Sequence, residues 1–171
     1  MNERVHQRFA IVTLVVLATA GACCSLQSHP TDILGLRVGM EKAAALSRLH
    51  EISDFVRQEG RNEEIWKVKD ASRFAQVAVG YAEDKIRYVT AFVDKAQAKE
   101  LIPFSKVGDL RAAKAEIMEQ HHRYIWDVPP REGQAAYTVN VYGDNSEFVT
   151  IYTLAARPED RPPLDGDDHD D

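Results

Sequence analysis

The pattern of apolar and polar positions is written nearly twice along this chain. Ile65-Trp66-Lys67-Val68 and Ile125-Trp126-Asp127-Val128 both alternate as half-buried strands do, and they hold the only two tryptophans. Ahead of the first, Ala43, Leu46 and Leu49 recur at helical spacing and predict a helix over residues 40–50. Ahead of the second, Val107-Gly108-Asp109 opens a run carrying Ala112, Ala115 and Met118, with Asp109 as its N-cap. After each tryptophan strand come two more alternating runs, residues 74–81 and 86–93 in the first half, 135–142 and 147–154 in the second. Ala75, Val77 and Val79 are expected on the inner face.

Shorter signals fill the gaps. Thr31 or Asp32 can cap a brief turn over residues 33–34, residues 55–60 read as extended, and Asp94 caps a second short helix that Pro103 stops. The expected fold class is α+β: two tandem helix-helix-strand-strand-strand repeats, over residues 32–93 and 94–156, with helices on one face of an antiparallel sheet. The halves can be aligned by offset. Val38-Gly39 matches Val107-Gly108 at 69, the Ile-Trp pairs match at 60, and Val77, Val79, Ile86 and Val89 match Val139, Val141, Phe148 and Ile151 at 62. Gly39 and Gly108 then mark equivalent structural turns.

The N-terminus is an address. Arg4 and Arg8 precede an apolar run over residues 9–18, too short to stay in a bilayer as a spanning helix, and then small residues lead to Cys23-Cys24. Residues 1–22 are read as a signal peptide and 23–31 as a tether. Ala20-Gly21-Ala22-Cys23 resembles the lipobox of bacterial lipoproteins, which implies that Cys23 is acylated and becomes the new N-terminus; the same small residues also satisfy an ordinary secretory cleavage site. Both cysteines of the chain lie at this junction, so the exported body contains no disulfide. Cys24 in place of the Asp that favours inner-membrane retention would imply the outer membrane, facing the periplasm.

Charge is local. Residues 157–171 hold seven acids against Arg157 and Arg161 and read as a disordered acidic tail, whereas residues 23–156 hold nineteen acids against seventeen Lys and Arg. That near-neutral body lacks the basic footprint of nucleic-acid binding.

Leu36-Arg37-Val38-Gly39-Met40, a short amphipathic helix, the Ile65-Trp66 strand, the Val77-x-Val79 strand and a closing hairpin strand together resemble the BamE/SmpA family of small outer-membrane lipoproteins. The doubled arrangement over roughly residues 32–156 looks more like the β-lactamase inhibitor protein family, built from two such units in one curved sheet. What these resemblances imply is a protein-binding scaffold without chemistry, either an accessory envelope lipoprotein or an inhibitor-like module that binds an exported enzyme.

Trp66 and Trp126 suit core packing, with partner-facing anchors as the other reading. If Val89 and Ile151 face inward, Tyr88, Phe92, Phe148 and Tyr152, with Tyr142 beside them, form an uncharged aromatic patch on the uncovered side, fit for protein recognition unless a loop or the tail covers it. His121-His122 is expected to cap the C-terminus of the second main helix rather than bind metal, since adjacent helical residues diverge by about 100°. His169 among the tail acids could hold a cation only loosely. No Gly-x-Ser-x-Gly, body cysteine or phosphate loop is present, so no catalytic residue, metal, cofactor or small-molecule substrate is assigned. Sites assembled from distant residues stay invisible at this level.

Overall fold

Strand-type alternation governs far more of the chain than helical spacing does. In the computed structural model, which describes residues 29–145 and 147–157, one eight-stranded sheet runs in the order β1-β2-β3-β4-β8-β7-β6-β5. Its first half comprises β1 (Ser53–Glu59), β2 (Glu63–Val68), β3 (Gln76–Ala82) and β4 (Lys85–Phe92), and its second β5 (Lys114–Met118), β6 (His121–Val128), β7 (Tyr137–Gly143) and β8 (Ile151–Ala156). Each half is an antiparallel meander. The two meet where β4 pairs antiparallel with β8, Val89 opposite Leu154 and Ala91 opposite Tyr152.

The expectation of two helix-helix-strand-strand-strand repeats is overturned: α1 (Lys42–Ile52) is the one α-helix among the described residues. Helix α1 forms because Ala45 and Leu49 are buried one turn apart. It ends where the buried Ser53 hydroxyl donates to Leu49 O at 2.6 Å, and the chain turns directly into β1. The extended reading of residues 55–60 thus falls within a strand as far as Glu59, and Gly60 (φ 60°) begins the turn.

In the second half, Ala112, Ala115 and Met118 present too little apolar surface at helical spacing to offset the cost of ordering a helix. Asp109 caps only the 3-10 turn Leu110–Ala112, accepting from Arg111 N. Lys114 and Glu116 then alternate with Ala115 and Ile117 as β5, and a left-handed turn at Glu119 (φ 53°) leads into β6. His121 and His122 therefore lie in a strand, not at a helix end. Asp94 organises a single turn, its side chain accepting from Ala96 N at 2.9 Å and its carbonyl from Ala98 N at 2.8 Å. Residues 33–36 close a turn by mutual Ile33–Leu36 backbone bonds of 2.9 Å.

One face of the sheet is covered. Trp66, Val68, Val77, Val79, Val89, Val139, Val141 and Leu154 bury there, beneath α1 in the first half and beneath the segments carrying Ile33, Leu36, Ile102 and Phe104 elsewhere. Trp66 is 2% exposed, packed edge-on against His50 at 5.0 Å, and its Nε1 donates to Glu64. Trp126 is equally buried, with no α-helix among the described residues above it. Its indole Nε1 donates to Asp109 O at 3.0 Å, and the His29 ring lies 5.6 Å away.

Residues 29–31, read from sequence as tether, are strapped to this face: Tyr137 Oη donates to Pro30 O at 3.0 Å and Gln134 Nε2 to Thr31 O at 3.1 Å. Gly108 is required by close approach, because a Cβ there would stand 2.7 Å from His29 and 3.0 Å from Trp126. Gly39 is required by conformation, with φ at +81° while its N–H donates to Ile86 O at 2.8 Å. The signal segment 1–22, Cys23 and the acidic residues 158–171 lie outside the described residues.

Two predictions follow from this packing. Trp66→Ala and Trp126→Ala should each lower stability by about 3–5 kcal/mol in urea unfolding, and a loss under about 1 kcal/mol for both would contradict their place in the core. Burial holds His29 below the usual imidazole range, against a backbone hydrogen bond with Val107 that raises it, and the Arg131 charge adds to the lowering. Protonation thus opposes docking. The strap's contribution should be complete above the unfolded value of about 6.5 and should weaken as pH falls below it. Unfolding midpoints at pH 7.5 and 5, followed by Trp126 fluorescence in a Trp66→Phe background, should shift more for the parent than for its His29→Gln variant.

Candidate functional site

The other face of the sheet carries no covering element among the described residues, and the strand registers show which side chains share it. Phe92 lies opposite Ile151, Ile151 opposite Tyr142, and Tyr142 opposite Arg123, making one row across β4, β8, β7 and β6. A second row runs Ala78, Thr90, Thr153, Asn140, Ile125. The third runs Gly80, Tyr88, Ala155, Thr138. The middle row is low and, at Thr90, Thr153 and Asn140, polar, so the face forms a trough with Tyr88 on one bank and Phe92 and Tyr142 on the other.

Of the aromatic residues expected here, Tyr88, Phe92 and Tyr142 are on this face and Tyr152 and Phe148 are not. Tyr152 is 2% exposed on the covered side, 6.4 Å from Phe74. Its hydroxyl has no hydrogen-bond partner among the described residues, and burial pushes its pKa up. Phe148 precedes β8 in the link from β7, bridged to Pro103, with its N–H donating to Asn145 Oδ1 at 3.0 Å. For Tyr152 the reason is register. Val141 stands opposite Tyr152, and Val79 opposite Val89, so β8 matches β4 at an offset of 63 rather than 62. One residue of slip exchanges the two faces of a strand. Ile151 comes to the trough and Tyr152 to the core.

Local chemistry fixes the banks. Tyr88 lies over Gly80, where a Cβ would stand 2.2 Å from its ring. Its hydroxyl pKa is raised by burial first and then by the Glu63 carboxylate to which it donates. Tyr142 carries the His121 ring stacked at 5.5 Å. On the floor, the Thr90 and Thr153 hydroxyls share a hydrogen bond of 3.0 Å.

Charge enters at the margins, contrary to the uncharged patch expected from sequence. Arg123 donates through Nε to Asn140 Oδ1 and through Nη1 to Glu116 Oε2, both at 3.0 Å. Arg87 is the extra residue of a bulge in β4, where Gly80 pairs Tyr88 but Tyr81 pairs Ile86. Sequence reading passed over Arg87, Arg123 and Ile125. Arg123 directly follows the His121-His122 pair expected to end a helix and carries no expectation of its own, and the bulge that aims Arg87 has no marker in Ile86-Arg87-Tyr88-Val89.

The trough is subdivided into adjoining cavities. One of about 370 Å³ is lined by Arg87, Tyr88, Arg123 and Ile125 among others, and one of about 350 Å³ by Met118, His121, Tyr142 and Ile151 among others. A third, of about 490 Å³, holds Glu59, Glu63 and Arg61 beside Arg87 and Tyr88. Their linings offer aromatic surface and hydrogen-bonding groups. They place no Ser, Cys or catalytic base pair in hydrogen-bonding reach of one another, and no group of three or more metal-ligating side chains occurs among the described residues.

Tyr88 and Gly80 should behave as one unit. Gly80→Ala should cost about 1–3 kcal/mol in the parent by overpacking and almost nothing in a Tyr88→Ala background; equal costs in both would show that the ring does not rest on Gly80. No protein-family model, curated protein or solved structure is significantly similar to this chain.

Proposed function

We propose that this chain is a non-enzymatic lipoprotein of the bacterial cell envelope, anchored through acylated Cys23, that holds another envelope or exported protein against the open face of its sheet. The observation that carries the reading is the trough itself. Three aromatic side chains and Ile151 stand along a small, polar floor on a face that no other described element covers, and large rigid side chains in such a setting are the usual anchors of protein interfaces.

The strap supports the orientation this requires. His29 lies six residues beyond Cys23 and is held on the covered face against Trp126, and six residues span at most about 20 Å. An acyl chain on Cys23 would therefore keep the covered side near the bilayer and turn the trough toward the aqueous compartment.

A photo-crosslinking amino acid at position 153, in the trough, should give a discrete protein adduct in intact cells, and the adduct should disappear with Ile151→Asp. The same probe at the exposed position 47 of α1 should not give it. An adduct indifferent to Ile151→Asp, or equal from both positions, would reject the assigned face, and a Cys23→Ser variant that stays in the membrane fraction would reject the anchor.

A further inference from the structure

The cavity of about 370 Å³ between β4, β8, β7 and β6 has an unbalanced lining. Two arginines, Arg87 and Arg123, contribute to it, and no carboxylate does. Arg123 is partly satisfied, since Asn140 and Glu116 take its Nε and Nη1, while no acceptor for its Nη2 occurs among the described residues. Arg87 is half-buried, and it has neither an ion pair nor a hydrogen-bond acceptor there.

Nearby acids do not fill the gap. Glu63 and Glu59 lie by the neighbouring cavity, where Glu63 receives the Tyr88 hydroxyl, and Glu116 already bridges Lys114 and Arg123. Arg87 lines that neighbouring cavity too, but forms no ion pair with either carboxylate among the described residues, so its guanidinium keeps free donors. Its planar fork of donors matches a carboxylate in bidentate geometry. Tyr88, Ile125 and Ala155 supply apolar walls on the same cavity, which suit the methylene stem of an acidic side chain and strengthen the ion pair by excluding water.

We infer that this cavity seats a carboxylate side chain of a partner polypeptide between Arg87 and Arg123. The inference rests on the open face being the partner-binding surface, and it adds the chemistry by which that surface selects. An Asp or Glu flanked by apolar residues enters from the trough, its carboxylate meeting the Arg87 fork and Nη2 of Arg123. Binding through such a pair weakens as ionic strength rises.

Selection of a displayed random-peptide library on the purified full chain tests this. Peptides that bind the parent and are lost with Ile151→Asp report on the open face. They are expected to share an acidic residue, to bind Arg87→Met about tenfold more weakly, and to lose as much in the parent when that residue is changed to its amide. In Arg87→Met the amide change should then have no further effect, which a merely structural role for Arg87 would not produce. The unfolding midpoint of Arg87→Met should match that of the parent. Open-face peptides without a shared acid, or indifferent to Arg87→Met, would overturn the carboxylate seat while leaving the open face as a binding surface. Failure to recover any peptide sensitive to Ile151→Asp would overturn both.

Discussion

The ladder between β4 and β8 is the interaction on which the rest of the molecule depends. It joins Tyr88 through Phe92 to Ile151 through Ala155, and closing so long a stretch of chain carries an entropic cost that local hairpins do not. The gain is burial on the covered side, where Val89, Ala91, Tyr152 and Leu154 all become nearly inaccessible. On the open side the same ladder sets the Thr90 and Thr153 hydroxyls 3.0 Å apart. Without it there are two four-stranded meanders, each with an exposed inner edge. With it, one set of rows crosses both halves, and the trough is continuous because the register is.

Cover for the two indoles comes from different sources. Trp66 lies under α1, whose His50 ring meets it edge-on. Trp126 instead meets the Asp109 carbonyl, His29 and the backbone at Gly108. The strap over residues 29–31 therefore takes the place of the helix expected in the second half, and Tyr137 and Gln134 fix it through its carbonyls. Burial of an indole demands that apolar area leave water and that its N–H find an acceptor; either a helix or a strap meets that demand.

The same distinction explains what could be read from the chain. Trp66, Trp126 and the alternating valines identified the core face correctly, because strand periodicity and burial coincide there. Helix α1 was legible from the helical spacing of Ala43, Leu46 and Leu49, although Leu49 and Ala45, which that spacing omits, are the ones it buries, and the Gly39 turn from its glycine. The second helix was misread because Ala112, Ala115 and Met118 satisfy a helical spacing without enough side chain to make it pay, while Ala115 and Ile117 satisfy the strand spacing equally. In residues 148–155 both phases of alternation are apolar, Phe148, Tyr152 and Leu154 against Val149, Ile151 and Ala155. Only pairing to Val141 and to Ala91 selects between them. The trough was consequently half legible: Tyr88, Phe92 and Tyr142 lie on strands whose phase was unambiguous, whereas Ile151 and the bulged Arg87 depend on tertiary register.

Where a partner would engage is constrained by the edges as much as by the face. Strand β1 carries a bulge between Phe55 and Arg57 and the charges of Asp54, Arg57 and Glu59, and β5 is five residues long with Lys114 and Glu116. Both features shorten the template available for strand addition, even though Phe55 and Met118 are exposed. The face offers the opposite arrangement: a floor of Thr90, Thr153 and Asn140 too polar to drive indiscriminate association, with a few large side chains standing above it. An interface of that composition gains little from area alone. Its affinity has to come from the anchors at Tyr88, Phe92, Tyr142 and Ile151, and discrimination among proteins that can all cover such a surface falls to the groups that penalise a wrong partner. The Arg87 guanidinium, which forms no ion pair among the described residues, is such a group, because every partner that covers it without answering its charge incurs a desolvation cost.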